Sequence, residues 1–129
     1  MILLDTNILI RLIKGDTRTA EWLEHIPRSE LAISSITVYE LAYGSLRANV
    51  PANRTQLLQS AVASVEQVSF DGAAAVEAAR IRLSLEQQGM VIGPMDLLIA
   101  GIAVSRKAKL ATFNRSEFSR VSGLDVICP

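Results

Sequence analysis

The sequence is poor in cysteine, histidine and aromatic residues. Its 129 residues include one cysteine, Cys128, and one histidine, His25, and aromatic residues make up 5% of the chain. A single cysteine cannot form an internal disulfide, which is typical of proteins in a reducing compartment. The sequence indicates no carboxylate or cysteine partner for His25, so we expect a surface histidine and not a metal ligand. The cysteine count favours a cytosolic protein.

The chain also lacks an excess of charge and a long apolar run. Its 13 basic and 13 acidic residues give a formal net charge of +0. This balance argues against a nucleic-acid-binding protein held by bulk positive charge, although it leaves local phosphate contacts open. No apolar run approaches the ~20 residues of a membrane-spanning helix, and the amino terminus has no basic region of the signal-peptide kind. We therefore expect no membrane association.

Apolar residues are abundant. They make up 50% of the sequence, and the mean hydropathy is +0.30. A length of 129 residues is enough for a real core, and this composition is not that of a disordered chain or a linker. Because no repeat, low-complexity segment or linker divides the sequence, we predict a single domain over residues 1–129.

Short apolar runs alternate with longer segments of helical character. Strands are predicted at residues 2–4, 31–33, 65–70, 109–112 and 124–128. Helices are predicted at residues 7–14, 17–26, 38–48, from Pro51 through 62, 72–88 and 96–104, with a short turn or helix at 114–118. This alternation predicts an α/β fold with a parallel sheet, right-handed crossovers and helices on both faces.

Four polar residues fall at or just beyond strand ends, or at helix starts that face the same edge of the predicted sheet. They are Asp5, Glu40, Asp96 and Asn114. Open α/β sheets bind ligands at the carboxyl ends of their strands. Each residue also has an ordinary interpretation as a helix cap, because residues 37–40 have the form of a capping box and Asp96 begins an apolar helix. Taken singly, capping is the favoured interpretation.

Taken together, the three carboxylates indicate a metal site. At one edge of a sheet Asp5, Glu40 and Asp96 would repel one another and raise one another's pKa unless a cation lay between them. Mg²⁺ is held by a few carboxylates together with water and substrate phosphate. Such an ion activates water and stabilises the charge that develops on a phosphoryl group. The sequence therefore predicts metal-assisted phosphoryl chemistry, provided that the three side chains converge.

The sequence resembles the PIN-domain ribonucleases, and specifically the VapC toxins of bacterial toxin–antitoxin pairs. The matching segments are Leu3-Leu4-Asp5-Thr6-Asn7, Ser35-Ile36-Thr37-Val38-Tyr39-Glu40-Leu41 with Gly44, Ile92-Gly93-Pro94-Met95-Asp96-Leu97-Leu98-Ile99-Ala100, and Leu110-Ala111-Thr112-Phe113-Asn114. Each segment alone is weakly specific, but the four occur in the right order over essentially the whole chain. The resemblance implies a PIN-like three-layer α/β/α fold with a central parallel sheet of about five strands.

The resemblance also implies an endoribonuclease that depends on Mg²⁺, with Mn²⁺ as a substitute, and hydrolyses RNA phosphodiester bonds. Asp5, Glu40 and Asp96 match the metal-binding acids of the family. Asn114 stands where the family often has a fourth acid, and its amide can offer an oxygen but no charge. The number of metal ions is therefore left open.

Other residues are predicted to support this site. Thr6 and Thr112 are candidates to hydrogen-bond the ligating carboxylates and hold their orientation. Glu117, one turn after Asn114, is a candidate to replace the missing charge, although a solvated or capping glutamate is the simpler interpretation. Arg115, next to the site, is the best candidate for a contact with an RNA phosphate.

The first helices carry more apolar residues than one side of a small helix needs, which indicates an interface. The resemblance implies a cognate VapB-like antitoxin, a toxin homodimer and a cytoplasmic location in a bacterium or archaeon. We expect a basic antitoxin side chain among Asp5, Glu40 and Asp96 to displace the metal. Two alternatives remain: a non-catalytic PIN-like binding module, with Asn114 marking decay of the site, and a phosphohydrolase or receiver-like domain using Asp5 as nucleophile or phosphoacceptor.

Overall fold

The computed structural model describes residues 1–47 and 49–129, in which short strands alternate with helices. The strands are β1 (Ile2–Leu4), β2 (Leu31–Ser34), β3 (Glu66–Val68), β4 (Lys109–Ala111) and β5 (Val126–Ile127). The helices are α1 (Thr6–Ile13), α2 (Thr17–Glu24), α3 (Ser35–Leu46), α4 (Ala52–Ala63), α5 (Gly72–Gln87), α6 (Pro94–Ser105) and α7 (Arg115–Phe118), with a 3₁₀ turn at Arg28–Glu30.

The strands form one parallel sheet in the order β3-β2-β1-β4-β5. β1 lies at its centre, and Leu3 pairs with Ala32 on one side and with Leu110 on the other. Because all strands run the same way, their carboxyl ends meet at one edge of the sheet. The predicted α/β/α fold with a parallel sheet of five strands is confirmed.

The two faces of the sheet are covered by different helices. Successive side chains of a strand point to opposite faces, so Leu3 belongs to a core on the side of α5 and α6, and Leu4 belongs to a second core. Ile8 and Leu9 of α1 and Leu41 of α3 are buried in that second core. The central strand is therefore buried on both sides, as its unbroken apolar run predicts.

Helices α5 and α6 lie very close together because small residues face one another between them. A Cβ atom at Gly101 of α6 would lie 2.7 Å from the carbonyl oxygen of Ala74 and 2.8 Å from Cβ of Ala78, both in α5. Carbon atoms cannot approach backbone that closely without a shift of the helices. Gly101 is thus required by the spacing of these two helices, which fixes where α6 and its Asp96 lie.

Several predicted boundaries need correction. Helix α3 begins at Ser35 and not near Val38, because Ser34 is its N-cap and accepts a hydrogen bond from the amide of Thr37 at 3.0 Å. The predicted end of this helix, Ala48, lies outside the described residues. Helix α2 begins at Thr17, as predicted, but it ends at Glu24, two residues before its predicted end.

Among residues 1–47 and 49–129, no helix has both the length and the apolar character needed to cross a membrane. His25 is exposed, and its Nδ1 lies 2.7 Å from the carbonyl oxygen of Glu21. The predicted surface position of this histidine is confirmed.

Candidate active site

The four polar residues singled out in the sequence all lie near the carboxyl edge of the sheet. Asp5 directly follows β1, and Asn114 lies between β4 and α7. Glu40 stands in the second turn of α3, and Asp96 is the third residue of α6. Each residue is brought there by an element that leaves the sheet or packs across its edge.

Asp5 is buried, with 4% of its surface exposed, and both of its carboxylate oxygens are hydrogen-bonded. Oδ1 accepts from the amide of Thr6 at 2.8 Å. Oδ2 accepts from the Thr112 hydroxyl at 2.7 Å and from the Asn7 side chain at 2.9 Å. Burial is the main influence that raises the pKa of Asp5; these hydrogen bonds oppose it and the nearby Glu40 charge adds to it. Asp5 caps α1 through the Thr6 amide, and it also accepts two side-chain hydrogen bonds that capping does not require.

Asn7 belongs to this arrangement, although it is not among the site residues predicted from the sequence. Its Nδ2 donates to Asp5 at 2.9 Å, and its Oδ1 accepts from the amide of Phe113 at 3.2 Å. The side chain therefore joins the residue after β1 to the segment after β4. Two sequence signals pointed to it: its place in the segment Leu3-Leu4-Asp5-Thr6-Asn7, and its position as an amide two residues after Asp5 in the first turn of α1.

Glu40 is held by Thr6 and does not cap its own helix. The Thr6 hydroxyl lies 2.7 Å from Glu40 Oε1 and 3.2 Å from the Thr37 hydroxyl. A hydroxyl carries one proton, so the shorter contact with the carboxylate takes it. Thr37 is the third residue of α3, buried behind Ser34, and is not an N-cap. The capping-box interpretation of residues 37–40 is therefore wrong.

Asp96 does not cap α6 either, because Gly93 holds the N-cap position and Pro94 is the first helical residue. The carboxylate is half-buried at the amino-terminal turn. Burial, the Asp5 charge and the neighbouring Glu117 raise the pKa of Asp96 to about 7. Such a shift means that the surroundings disfavour the charged form of the carboxylate, which is common at functional sites.

Asn114 bridges two acids through its side-chain amide. Nδ2 donates to Asp96 Oδ2 at 3.2 Å and to Glu117 Oε2 at 3.0 Å, and the side chain makes no capping bond to α7. The hydrogen bond from Asn114 lowers the pKa of Glu117, and the Gly93 amide adds to this effect. Glu117 therefore lies beside Asn114 and Asp96, and its supporting role in the site stays a prediction.

The four carboxylates change one another's pKa. In addition to burial, the Glu40 charge raises the pKa of Asp5, and the Asp5 and Glu117 charges raise the pKa of Asp96. Among residues 1–47 and 49–129, no Lys, Arg or His lies within 4.0 Å of any of them as an ion-pair partner. In the same part of the chain, no group of three or more His, Cys, Asp or Glu side chains is arranged to hold a metal ion. The convergence of three metal ligands therefore stays a prediction.

The donor set nevertheless fits a hard divalent cation. It consists of carboxylate oxygens, two side-chain amides and hydroxyls, which are the ligands such ions prefer and the groups that orient them. A buried carboxylate with a raised pKa and no cationic partner is stabilised when a cation approaches. Asp5, Glu40 and Asp96 stay the predicted ligands, and Glu117 stays a predicted supporting charge. Arg115, the first residue of α7, is exposed next to Asn114.

The sequence and the fold of this chain are similar to those of known proteins. The sequence profile of the PIN domain family matches residues 2–124. The chain belongs to the PIN domain family. The tRNA(fMet)-specific endonuclease VapC of Shigella flexneri is 36% identical over 122 residues, which cover 95% of this chain and 92% of that protein. Ribonuclease VapC2 of Rickettsia felis is 34% identical over 124 residues, again covering 95% and 92%.

Solved structures of this PIN group agree with the fold in detail. In the crystal structure of VapBC2 from Rickettsia felis bound to a DNA fragment from its promoter, the matching chain has a TM-score of 0.92 and 32% sequence identity. The match covers 100% of this chain and 99% of that chain. The resemblance to VapC-type PIN-domain ribonucleases, made on four short segments, is therefore confirmed.

Proposed function

We propose that this PIN-domain chain is the toxin of a VapBC-type pair, an endoribonuclease that hydrolyses RNA phosphodiester bonds with a divalent metal ion. The observation that carries this proposal is the set of carboxylates at the carboxyl edge of the sheet. Asp5 and Asp96 have raised pKa values there. The VapC relatives, which are named as ribonucleases, support the reaction class.

In this proposal Asp5, Glu40 and Asp96 hold the metal. Mg²⁺ is the expected ion and Mn²⁺ a substitute, and the bound ion would supply a water of lowered pKa and charge stabilisation at the phosphoryl group. Thr112 and Thr6 orient the carboxylates of Asp5 and Glu40 through hydrogen bonds of 2.7 Å each. Such outer partners fix where ligand oxygens point.

Asn114 and Glu117 act next to Asp96 in the same site. The Asn114 amide keeps the Asp96 and Glu117 carboxylates close by donating to both. Without a donor there, two carboxylates would separate or one would take up a proton. We assign to Asn114 this orienting role, to Glu117 a supporting negative charge, and to the exposed Arg115 a contact with an RNA phosphate.

The proposed protein partner is a VapB-like antitoxin. A groove between α1, α3 and α4 is lined by apolar side chains that include Ile10 and Leu58, has cationic residues at its margin and reaches Glu40. Ile10 is 39% exposed, which is unusual for an isoleucine next to a core. An extended or helical apolar segment fits this groove, and a basic side chain at its end would reach the carboxylates. The Rickettsia felis relative was solved as a VapBC complex.

Three further parts of the proposal concern organisation. We infer one domain over residues 1–129, because β1 and β5, from opposite ends of the chain, belong to the same sheet. We infer a homodimer, as in the sequence-based prediction. A cytoplasmic location agrees with the single cysteine, which has no partner for an internal disulfide.

The deciding experiment compares RNA cleavage by wild type, Asp5→Asn and Asp125→Asn. Asp125 is a matched control, since it is an aspartate at the surface whose side chain is 63% exposed and 4.0 Å from Lys109. We expect wild type and Asp125→Asn to cleave a mixed RNA pool in Mg²⁺ or Mn²⁺ and to stop in EDTA. Asp5→Asn, folded as judged by circular dichroism, is expected to be inactive.

The same three proteins test the metal and the antitoxin. Mn²⁺ is expected to raise the melting temperature of wild type and of Asp125→Asn but not of Asp5→Asn, because a ligand that binds only the folded state stabilises it. A purified complex with the antitoxin that cleaves RNA and binds Mn²⁺ as well as the free chain would contradict inhibition by metal displacement. Failure to cleave with any metal would favour a binding module.

A further inference from the structure

The guanidinium carbon of Arg11, in α1, lies over the ring of Phe113, 3.8 Å from the ring centroid. The Arg11 side chain is 53% exposed, and its ion pair with Asp16 spans 3.8 Å, which is too long for a hydrogen bond. Asp16 accepts instead from the Thr19 hydroxyl at 2.8 Å. A cation–π contact involves no N–H donor of the guanidinium in a hydrogen bond. Among the described residues, Arg11 therefore has an aromatic partner, and its N–H groups make no side-chain hydrogen bond.

The stacked pair is joined to the candidate active site by two hydrogen bonds. The Phe113 amide donates to Asn7 Oδ1 at 3.2 Å, and Asn7 Nδ2 donates to Asp5 Oδ2 at 2.9 Å. Residues four apart in a helix lie on the same face, so Asn7 and Arg11 are neighbours along α1. The guanidinium thus stands one helical turn beyond the contact that holds Asp5.

A cation at this position would offset the repulsion between the carboxylates and RNA phosphates. Asp5, Glu40 and Asp96 repel the phosphates of an approaching RNA, and a chain of net charge +0 supplies no general attraction to offset this. The planar donor fork of an arginine matches phosphate oxygens, and a guanidinium already held in place loses less conformational freedom on binding.

We propose that Arg11, positioned by Phe113, binds a phosphate of the RNA backbone flanking the carboxylate site. This inference rests on the proposed ribonuclease function and adds a substrate contact to it. It differs from the contact assigned to Arg115, which lies beyond Asn114 at the start of α7 and has no aromatic partner among the described residues.

The test measures RNA binding in EDTA, with a fluorescein-labelled single-stranded RNA of mixed sequence and fluorescence anisotropy over a series of KCl concentrations. Arg11→Gln is compared with wild type and with Arg80→Gln. Arg80 is a matched control, because it is exposed and pairs with a nearby acid, Glu77, at 2.8 Å on α5. Gel electrophoresis of the RNA after each titration shows whether it remained intact.

For Arg11→Gln we expect the slope of log K against log salt to become shallower by about 0.7, the value for one phosphate contact with single-stranded RNA. Affinity at low salt is expected to fall about tenfold, as for one hydrogen bond to a charged group. Arg11→Lys is expected to keep the slope with intermediate affinity. Phe113→Leu is expected to weaken binding although the charge of Arg11 is unchanged. Arg80→Gln should behave as wild type.

Equal affinity and slope for Arg11→Gln and Arg80→Gln would overturn the proposed contact, and so would no measurable binding of the RNA by wild type. Wild-type binding by Phe113→Leu would overturn the positioning role of the ring. Cleavage by wild type in Mn²⁺ is scored separately. If wild type cleaves RNA and Arg11→Gln binds RNA as wild type does, this inference alone is removed. If Arg11→Gln loses RNA binding but wild type does not cleave RNA, the ribonuclease proposal is removed and the phosphate contact remains.

Discussion

The hydroxyl of Thr6 in α1 donates to Oε1 of Glu40 in α3 over 2.7 Å, although the two residues are 34 positions apart in the sequence. Thr6 directly follows Asp5. Of these two adjacent residues after the central strand, Asp5 supplies one carboxylate and Thr6 orients another, that of Glu40. The bond also explains why Glu40, five residues after Ser35 at the start of α3, faces the sheet edge and not the start of its own helix.

Thr6→Val tests this relationship, because valine has the shape of threonine without the hydroxyl. We expect RNA cleavage and Mn²⁺ affinity to fall about 10–100-fold, the usual effect of removing a group that orients a metal ligand. Thr6→Ser keeps the hydroxyl and should retain most of both. Cleavage rates and calorimetric titration with Mn²⁺ are the measurements.

Thr19→Val is the control for the loss of a buried hydroxyl. Thr19 is fully buried and donates to a carboxylate, Asp16, at 2.8 Å, but it lies on α2 away from the sheet edge. Thr19→Val should lower the free energy of unfolding by about 1 kcal/mol, as for one intramolecular hydrogen bond, with Mn²⁺ affinity unchanged. A similar loss of Mn²⁺ affinity in Thr6→Val and Thr19→Val would show that Thr6 acts only through stability.

Asn114→Asp replaces the donor between Asp96 and Glu117 with a third carboxylate. Two hydrogen bonds, of 3.2 and 3.0 Å, are then replaced by repulsion. We expect the metal-free protein to melt at a lower temperature and to bind Mn²⁺ more tightly, because a divalent cation relieves the added negative charge. Asn114→Ala loses the bonds without adding charge and should not bind Mn²⁺ more tightly. Weaker Mn²⁺ binding by Asn114→Asp would contradict the argument.

The stability of the metal-free protein is expected to depend on the protonation of Asp96. Its pKa is raised from the ordinary 3.8 to about 7 in the folded state, chiefly by burial. Between these values the folded state holds a proton that the unfolded state has lost, so the free energy of unfolding falls as pH rises from about 4 to about 7. The raised pKa of Asp5 acts in the same direction.

Urea unfolding in EDTA at pH 5 and pH 8 measures this effect. Asp96→Asn should flatten the decline, because the amide does not titrate, and Asp125→Asn should leave it as in wild type. Water screens part of the repulsion at the half-buried Asp96, so the comparison between variants decides the outcome more clearly than the size of the decline. An equal decline in Asp96→Asn and wild type would rule out this residue as its source.

Gly101→Ala and Gly44→Ala should change stability in opposite directions. At Gly101 a methyl group meets Ala74 and Ala78 at 2.7 and 2.8 Å, so we expect a loss of about 1–3 kcal/mol for overfilling the space between two helices. At Gly44, inside α3, nothing lies within 4 Å of the added carbon, and alanine should add roughly 0.5–1 kcal/mol. Chemical denaturation of both variants gives the two values.

The sequence by itself determined the alternation of strands and helices, because apolar spacing and helix-ending residues act locally. It also placed Asp5, Glu40, Asp96 and Asn114 near one edge, since the carboxyl ends of parallel strands meet there. It misread the start of α3, because Ser34 and Thr37 both suit an N-cap and only the end of β2 decides between them.

The tertiary structure decided which side chains meet. The bond between Thr6 and Glu40 and the stacking of Arg11 on Phe113 join segments distant in the sequence. They depend on the order of the strands, which places β1 between β2 and β4, and local patterns do not encode this order. Local spacing therefore determined where the acids stand, and the sheet order decided how each is held.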